Sequence, residues 1–99
     1  MQIKSTIIYK EDSSFPDFLK NISDAPNAIY CAGNVDLLKQ ECVAVVGARK
    51  CSEYGRQVAL KVGEILAKNN IVTVSGMADG IDASAHLGAL KAGGKTIAV

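Results

Sequence analysis

The sequence is short of the features that most readily assign a function. It has almost no net charge, +1 at pH 7 from 11 Lys and Arg against 10 Asp and Glu. Bulk electrostatics therefore favours no class of partner, and any nucleic-acid binding must come from a local cluster rather than an overall field. The three cysteines, Cys31, Cys42 and Cys51, are odd in number and unrelated in spacing. They form no C-x-x-C pair and no Cys/His metal pattern, so no metal is predicted and they read as reduced thiols of a cytoplasmic protein. No apolar run approaches the ~18 residues that a membrane span needs. The opening "MQIKSTIIYKED" lacks the apolar core of a signal peptide, so no membrane partner is expected. Repeats and low-complexity segments are absent. Also missing are G-x-G-x-x-G and G-x-x-x-x-G-K-[ST], the usual signatures of dinucleotide and P-loop sites.

What is present is a core-forming composition, 48% hydrophobic and 21% charged in 99 residues. That is enough for one small domain and below the usual size of a full α/β domain. Residues 1–40 read as a lead-in segment packing on that domain. Within it, Ile3 to Tyr9 suits a short strand, and "EDSSFPDFLKNI" a loop with a short helix, with Ser14 as cap and Pro16 in the first turn. Phe15, Leu19 and Ile22 share its apolar face. "AIYCAG" is a second short strand, and "VDLLKQE" is a connector with one helical turn.

From residue 41 the periodicity changes. "VAVVG" (43–47) is a continuous apolar run, as expected of a strand buried on both faces. Glu53 to Lys68 is helical, with Val58, Ala59, Val62, Ile65 and Leu66 on one stripe, Ser52 as N-cap and Asn69-Asn70 as the stop. "IVTVS" is a second strand, Asp82 to Ala92 a second helix ended by Gly93-Gly94, and "KTIAV" a third strand. The fold class is α/β: a Rossmann-like βαβαβ half of a parallel sheet, preceded by a short α/β lead-in. Right-handed crossovers place both helices on one face. Three strands with two helices leave the other face bare, so residues 41–99 are expected to be the first half of a longer domain, or one completed by a partner chain.

In such sheets ligands sit outside the carboxyl ends of the strands. Two loops lie there, "GARKCSEYG" and "SGMADGID", and both run into helix N-termini that favour an anion. Arg49 adds a planar cationic fork and Lys50 a point charge. Residues 41–99 hold seven Lys and Arg against five Asp and Glu, a weak basic bias. Arg49 can serve in a surface ion pair or in anion binding, and its place after a buried strand favours the second. Ser52 caps at least as readily as it contacts a ligand. Ser75 is divided between ligand contact and a turn role. Gly76 and Gly80 permit positive φ and close backbone approach, for an anion or for tight-turn geometry alone. Asp82 is read as the N-cap of the second helix. His86, one turn in, is read as a structural partner of the helix start that bonds a neighbouring backbone carbonyl. Asp79 sits oddly for an anion site. The small residues Ala83, Ala85, Gly88, Ala89 and Ala92 let the second helix lie close on the sheet. Tyr54 either stacks on a base or packs on the sheet, and packing is favoured. No catalytic set can be assembled.

Three segments together resemble the DNA-processing protein A (DprA/Smf) family. Its pattern is roughly V-G-S-R-x-x-S-x-Y-G, then S-G-x-A-x-G-I-D-x-x-A-H-x-x-A-L, then G-x-T-I-A-V. Here these read "VGARKCSEYG" (46–55), "SGMADGIDASAHLGAL" (75–90) and "GKTIAV" (94–99). The lead-in "FPDFLKNISDAPNAIYCAGN" is similar to the family's as well. The resemblance implies a Rossmann-like domain that binds and protects single-stranded DNA in natural transformation and helps load RecA, with no enzymatic activity and no cofactor. It implies homodimers formed through later parts of the domain. By match, Arg49, Ser75 and Gly76 line the phosphate pocket, and Lys50, Ser52 and Gly80 join them from the loop argument. The sequence departs from the pattern at Ala48 for serine, at Phe15 for tyrosine and at the acidic Asp79. The family's downstream F-P-x-R-N-R segment is not in the chain. The alternative is a nucleotide-metabolite enzyme on a related fold, phosphoribohydrolase-like, whose catalytic glutamate would lie beyond Val99.

Overall fold

A computed structural model of the chain describes residues 4–99. The chain divides into two compact units, Met1–Lys39 and Gln40–Val99. In the first, strand β1 (Ser5–Tyr9) pairs antiparallel with β2 (Ala28–Ala32), with Ile7 opposite Tyr30. Ile3, expected to open β1, lies outside the described residues. Between the strands runs the short helix α1 (Asp17–Lys20). Its N-cap position is taken by Pro16, not Ser14, and no side chain caps it. Phe15 is wholly buried and Ile8 nearly so. A 3-10 turn, Val35–Lys39, ends in a lysine whose Nζ donates to the Phe15 carbonyl at 3.1 Å and lies 3.8 Å from Asp17. Ile22 is half exposed and Leu19 half-buried, so of the apolar face expected of Phe15, Leu19 and Ile22 only Phe15 is fully buried.

The second unit is the βαβαβ half. Strands β3 (Cys42–Ala44), β4 (Val72–Ser75) and β5 (Thr96–Ala98) form a parallel sheet in the order β3-β4-β5, with Val43 beside Thr73 and Thr73 beside Thr96. Helix α2 (Glu53–Lys68) joins β3 to β4, and α3 (Ile81–Lys91) joins β4 to β5. The architecture is Rossmann-like, as the alternation of apolar runs and helical stripes predicts. Only the central strand fits the expectation of burial on both faces. Cys42, Val43 and Ala44 of β3 are all exposed: β3 lies at the edge of this sheet, and neither helix packs closely on it.

Helix α2 begins and ends where its sequence signals place it. The Ser52 hydroxyl accepts from the Gly55 amide at 3.0 Å, satisfying one of the orphan amides of the first turn. Asn70 takes the left-handed conformation, φ 59°, after the last turn. On its exposed face Lys68 and Lys61 flank Glu64, at 3.0 and 3.8 Å, and the Lys68 hydrogen bond with both positive charges holds its carboxyl below the ordinary carboxylate value.

The buried face of α2 is not the expected stripe. Ala59 and Gly63 are buried, whereas Val58 and Ile65 are nearly half exposed. The reason lies in α3, which packs on α2 backbone to backbone. A β-carbon at Gly63 would run into the Ala85 carbonyl, and one at Gly88 into the Leu60 carbonyl. The small residues of α3 therefore serve the approach to α2 above all, rather than only the approach to the sheet. Such contact brings many atoms into van der Waals range without a large side chain between the axes.

Candidate anion site at the strand ends

The loops after β3 and β4 meet at the carboxyl edge of the sheet. They are tied by backbone. The Val45 amide donates to Val74 O at 2.9 Å and the Ile81 amide to Ala48 O at 3.3 Å. Gly80 stands at φ 80°, a region that only glycine enters without strain. A β-carbon there would also collide with the carbonyls of Ala48 and Arg49. Gly80, and not Asp82, is the N-cap residue of α3, and it has no side chain to cap with.

Asp82 instead lies inside the first turn of α3 and is 6% exposed. Its Oδ1 accepts from the Gly47 amide at 3.2 Å and its Oδ2 from the Gly76 amide at 3.1 Å. One carboxylate thus joins the residues that follow two neighbouring strands. The expected cap is a bridge between loops because the N-cap position falls two residues earlier than its sequence suggests. That shift moves the side chain from the helix end to the inside of the turn.

The same geometry revises what Ser75 and Gly76 can offer. The Ser75 side chain is 3% exposed and its hydroxyl donates to the Val45 carbonyl at 2.5 Å. The Gly76 amide is held by Asp82. Neither group is free for a phosphate in this structure. Gly76 is glycine for space, not for positive φ, since a β-carbon would stand 3.0 Å from Asp82 Oδ2.

His86 is structural but bonds no carbonyl directly. Its Nδ1 pairs with Thr96 Oγ1, and that hydroxyl donates to Thr73 O at 2.9 Å. A hydroxyl has one hydrogen, so the ring must supply the other: Nδ1 carries a proton and donates it to Thr96 Oγ1. Nε2 and the Thr73 hydroxyl are buried without partners among the described residues. The network fastens α3 to β4 and β5 and leaves no acid–base pair with Asp82.

The first loop is different. Arg49 and Lys50 are exposed and make no ion pair or hydrogen bond among the described residues. The amides from Ala48 to Tyr54 have no hydrogen-bond partner there either. Ser52 accepts from Gly55 and keeps its hydroxyl hydrogen to donate. In α3, by contrast, the amides of Ile81, Ala83 and Ser84 are all spent on carbonyls. The exposed acid Asp79 sits on that second loop. Among the described residues, exposed cations and unpartnered amides therefore coincide on the first loop and the start of α2. Tyr54, in the first turn of α2, is 79% exposed and not packed on the sheet. A cavity of about 100 Å³ opens at the other end of the sheet, among Gln40, Asn70, Ile71, Gly93 and Lys95. The last turn of α2 brings carbonyls to that end, which disfavours an anion.

Three comparisons place this geometry among known proteins. A family model described as DNA recombination-mediator protein A matches residues 6–99. DNA processing protein DprA of Streptococcus pneumoniae is 46% identical over 108 aligned residues, covering 99% of this chain and 38% of that protein. The X-ray structure of DNA processing protein A from S. pneumoniae superposes with a TM-score of 0.89 at 48% identity, over 97% of this chain and 34% of that one. DNA processing protein A from Helicobacter pylori, whose structure describes its unique single-stranded DNA binding mode, superposes with a TM-score of 0.79 at 33% identity, over 98% and 42%. The chain thus spans well under half the length of these relatives. Its match to the family model runs through both strand-end loops and the helices behind them, and the chain belongs to the DNA recombination-mediator protein A family, also known as DprA or Smf.

Proposed function

We propose that the chain binds single-stranded DNA through its first strand-end loop. Arg49, Lys50 and the Ser52 hydroxyl hold phosphates, together with the free amides between Ala48 and Tyr54. Ser75, Gly76 and Gly80 act behind them, fixing the loops in place. The observation that supports this reading best is the coincidence, among the described residues, of unpartnered amides with two unpaired cations at one helix start. The solved H. pylori relative, described for its single-stranded DNA binding mode, supports single-stranded DNA as the source of the phosphates. Contacts of this kind position a backbone and read no sequence. Tyr54 offers an exposed ring on which an unpaired base can stack, which a duplex does not present. No catalytic group, cofactor or metal enters the proposal. For the whole protein, RecA loading, homodimerisation, a cytoplasmic location and a role in DNA uptake are proposals that rest on the family resemblance. The phosphoribohydrolase-like alternative needs a nucleotide phosphate at the strand ends, where Asp82 already holds the amides.

The test is binding of a fluorescent oligonucleotide by polarisation across a salt series, with Arg49→Ala beside wild type. Removal of one phosphate contact lowers affinity for every sequence and reduces the log–log salt slope by about one. An unchanged slope would remove Arg49 from the interface, and wild type that fails to bind would overturn the proposal.

A further inference from the structure

In an open α/β sheet, a bound nucleotide sets its phosphate against the amides that follow the strands, in front of a helix start. Here that place is taken. The amides after β3 and β4 point at the two oxygens of Asp82, at 3.2 and 3.1 Å. The carboxylate sits in the first turn of α3, where the helix dipole favours negative charge. It is 6% exposed, and Ile81 closes the adjoining space, since a β-carbon on Gly47 would come within 2.7 Å of it. The amides are thus matched to an anion, and the chain supplies that anion itself.

We propose that Asp82 is a specificity-determining residue that fills the strand-end anion position and thereby excludes small phosphates and free nucleotides. Anion binding is then confined to the exposed rim at Arg49 and Lys50, which an extended phosphate backbone can reach from outside. This rests on the phosphate-binding reading for its purpose, but not for its test, which needs no DNA. A second negative charge brought to the Gly47 and Gly76 amides would meet the carboxylate at contact distance, so wild type takes none. Truncating the side chain frees both donors and opens a space of about carboxylate size.

The experiment measures thermal unfolding of wild type and Asp82→Ala in rising formate and inorganic phosphate, with chloride at matched ionic strength. The expected result is a lower Tm for the variant and a saturable recovery of about 5 °C or more in formate, absent from wild type. AMP, titrated by calorimetry, should bind the variant at least about tenfold more tightly than wild type. Equal responses of variant and wild type to formate overturn the proposal, as does wild type binding AMP as well as the variant does. Asp82→Asn, which keeps the volume, covers the case of an alanine variant that does not fold. Its Gly47 and Gly76 amide resonances should both shift from their wild-type positions in a ¹⁵N-edited NMR spectrum. If both stay in place, the carboxylate is not their partner and the proposal fails.

Discussion

Replacing Gly88 by alanine should destabilise the protein, although the same change on an exposed helix face does the reverse. Alanine gains about 1 kcal/mol over glycine in a helix interior, through propensity alone. At Gly88 the added methyl has nowhere to go. Its carbon would lie 2.8 Å from the Leu60 carbonyl carbon and 3.1 Å from Leu60 Cα, closer still to the carbonyl oxygen. These are backbone atoms of α2 and cannot rotate aside. The carbonyl oxygen sets the limit: relaxing that contact to about 3.2 Å requires α2 and α3 to part by roughly 1 Å, and a gap of that size forfeits about half of each van der Waals well along the seam. Overpacking of this kind costs about 1–3 kcal/mol. A clash with fixed backbone atoms belongs at the upper end of that range, so set against the propensity gain the net expectation is a loss of about 2 kcal/mol, or roughly 1 M in the urea midpoint for a small protein. Gly63→Ala meets the Ala85 carbonyl and the Ala89 amide on the same seam and should behave alike. The double variant should cost less than the sum, because helices parted by the first methyl already admit the second. Urea denaturation followed by circular dichroism reads all three. A Gly88→Ala protein as stable as wild type, or strictly additive losses, would falsify the backbone-to-backbone seam.

Three further outcomes follow from single groups. Tyr54→Ala should weaken oligonucleotide binding about tenfold with the salt slope unchanged, while Tyr54→Phe binds as wild type does, since stacking needs the ring and not the hydroxyl; equal loss in both variants would argue against stacking. Thr96→Val removes the acceptor of the His86 Nδ1 proton and should cost about 1–3 kcal/mol in urea titrations, with the His86 ring nitrogen shifts moving away from the Nδ1-protonated tautomer. Glu64 has its carboxyl lowered by Lys68 and Lys61, so its contribution is full above the ordinary carboxylate value and is lost as pH falls through and below it. Glu64→Gln should accordingly match wild type in acid and fall slightly behind it at neutral pH, an increment that salt reduces.

Much of the second unit was legible because its signals are local. Ser52, Asn70 and the apolar run from Ile71 each act within a few residues of themselves, and cap, stop and strand stand where those residues put them. The lead-in gave less. Phe15 announces a core residue, but whether Ser14 or Pro16 starts α1 depends on backbone angles that neighbouring residue types do not dictate. The buried stripe of α2 departs from its apolar periodicity for a physical reason. Hydrophobic periodicity weighs Val58 and Ile65 above Ala59 and Gly63, yet a helix facing another at close range buries its smallest residues. The alternation of glycine and alanine at Ala59, Gly63 and Ala67, matched by Ala85, Gly88 and Ala89, was the signal that could have shown the seam.

Asp82 marks where sequence reasoning about the site ran out, and why. An acid shortly after a glycine at a helix start reads as a cap, and its two partners, Gly47 and Gly76, lie 35 and 6 residues away. Only the register of β3 against β4 brings their amides to the same carboxylate. The amides of Gly47 and Gly76, glycines that follow two neighbouring strands, do meet a carboxylate, but it is the chain's own. The chain's own carboxylate in that position supports the proposed division of labour between the loops. The second loop completes the interior electrostatics of the fold, and the acid at Asp79 no longer conflicts with it. The first loop, with Arg49, Lys50 and a run of unpartnered amides, is left as the outward face. A site built on such a rim suits a ligand that runs along the surface, phosphate after phosphate, better than one that must be enclosed.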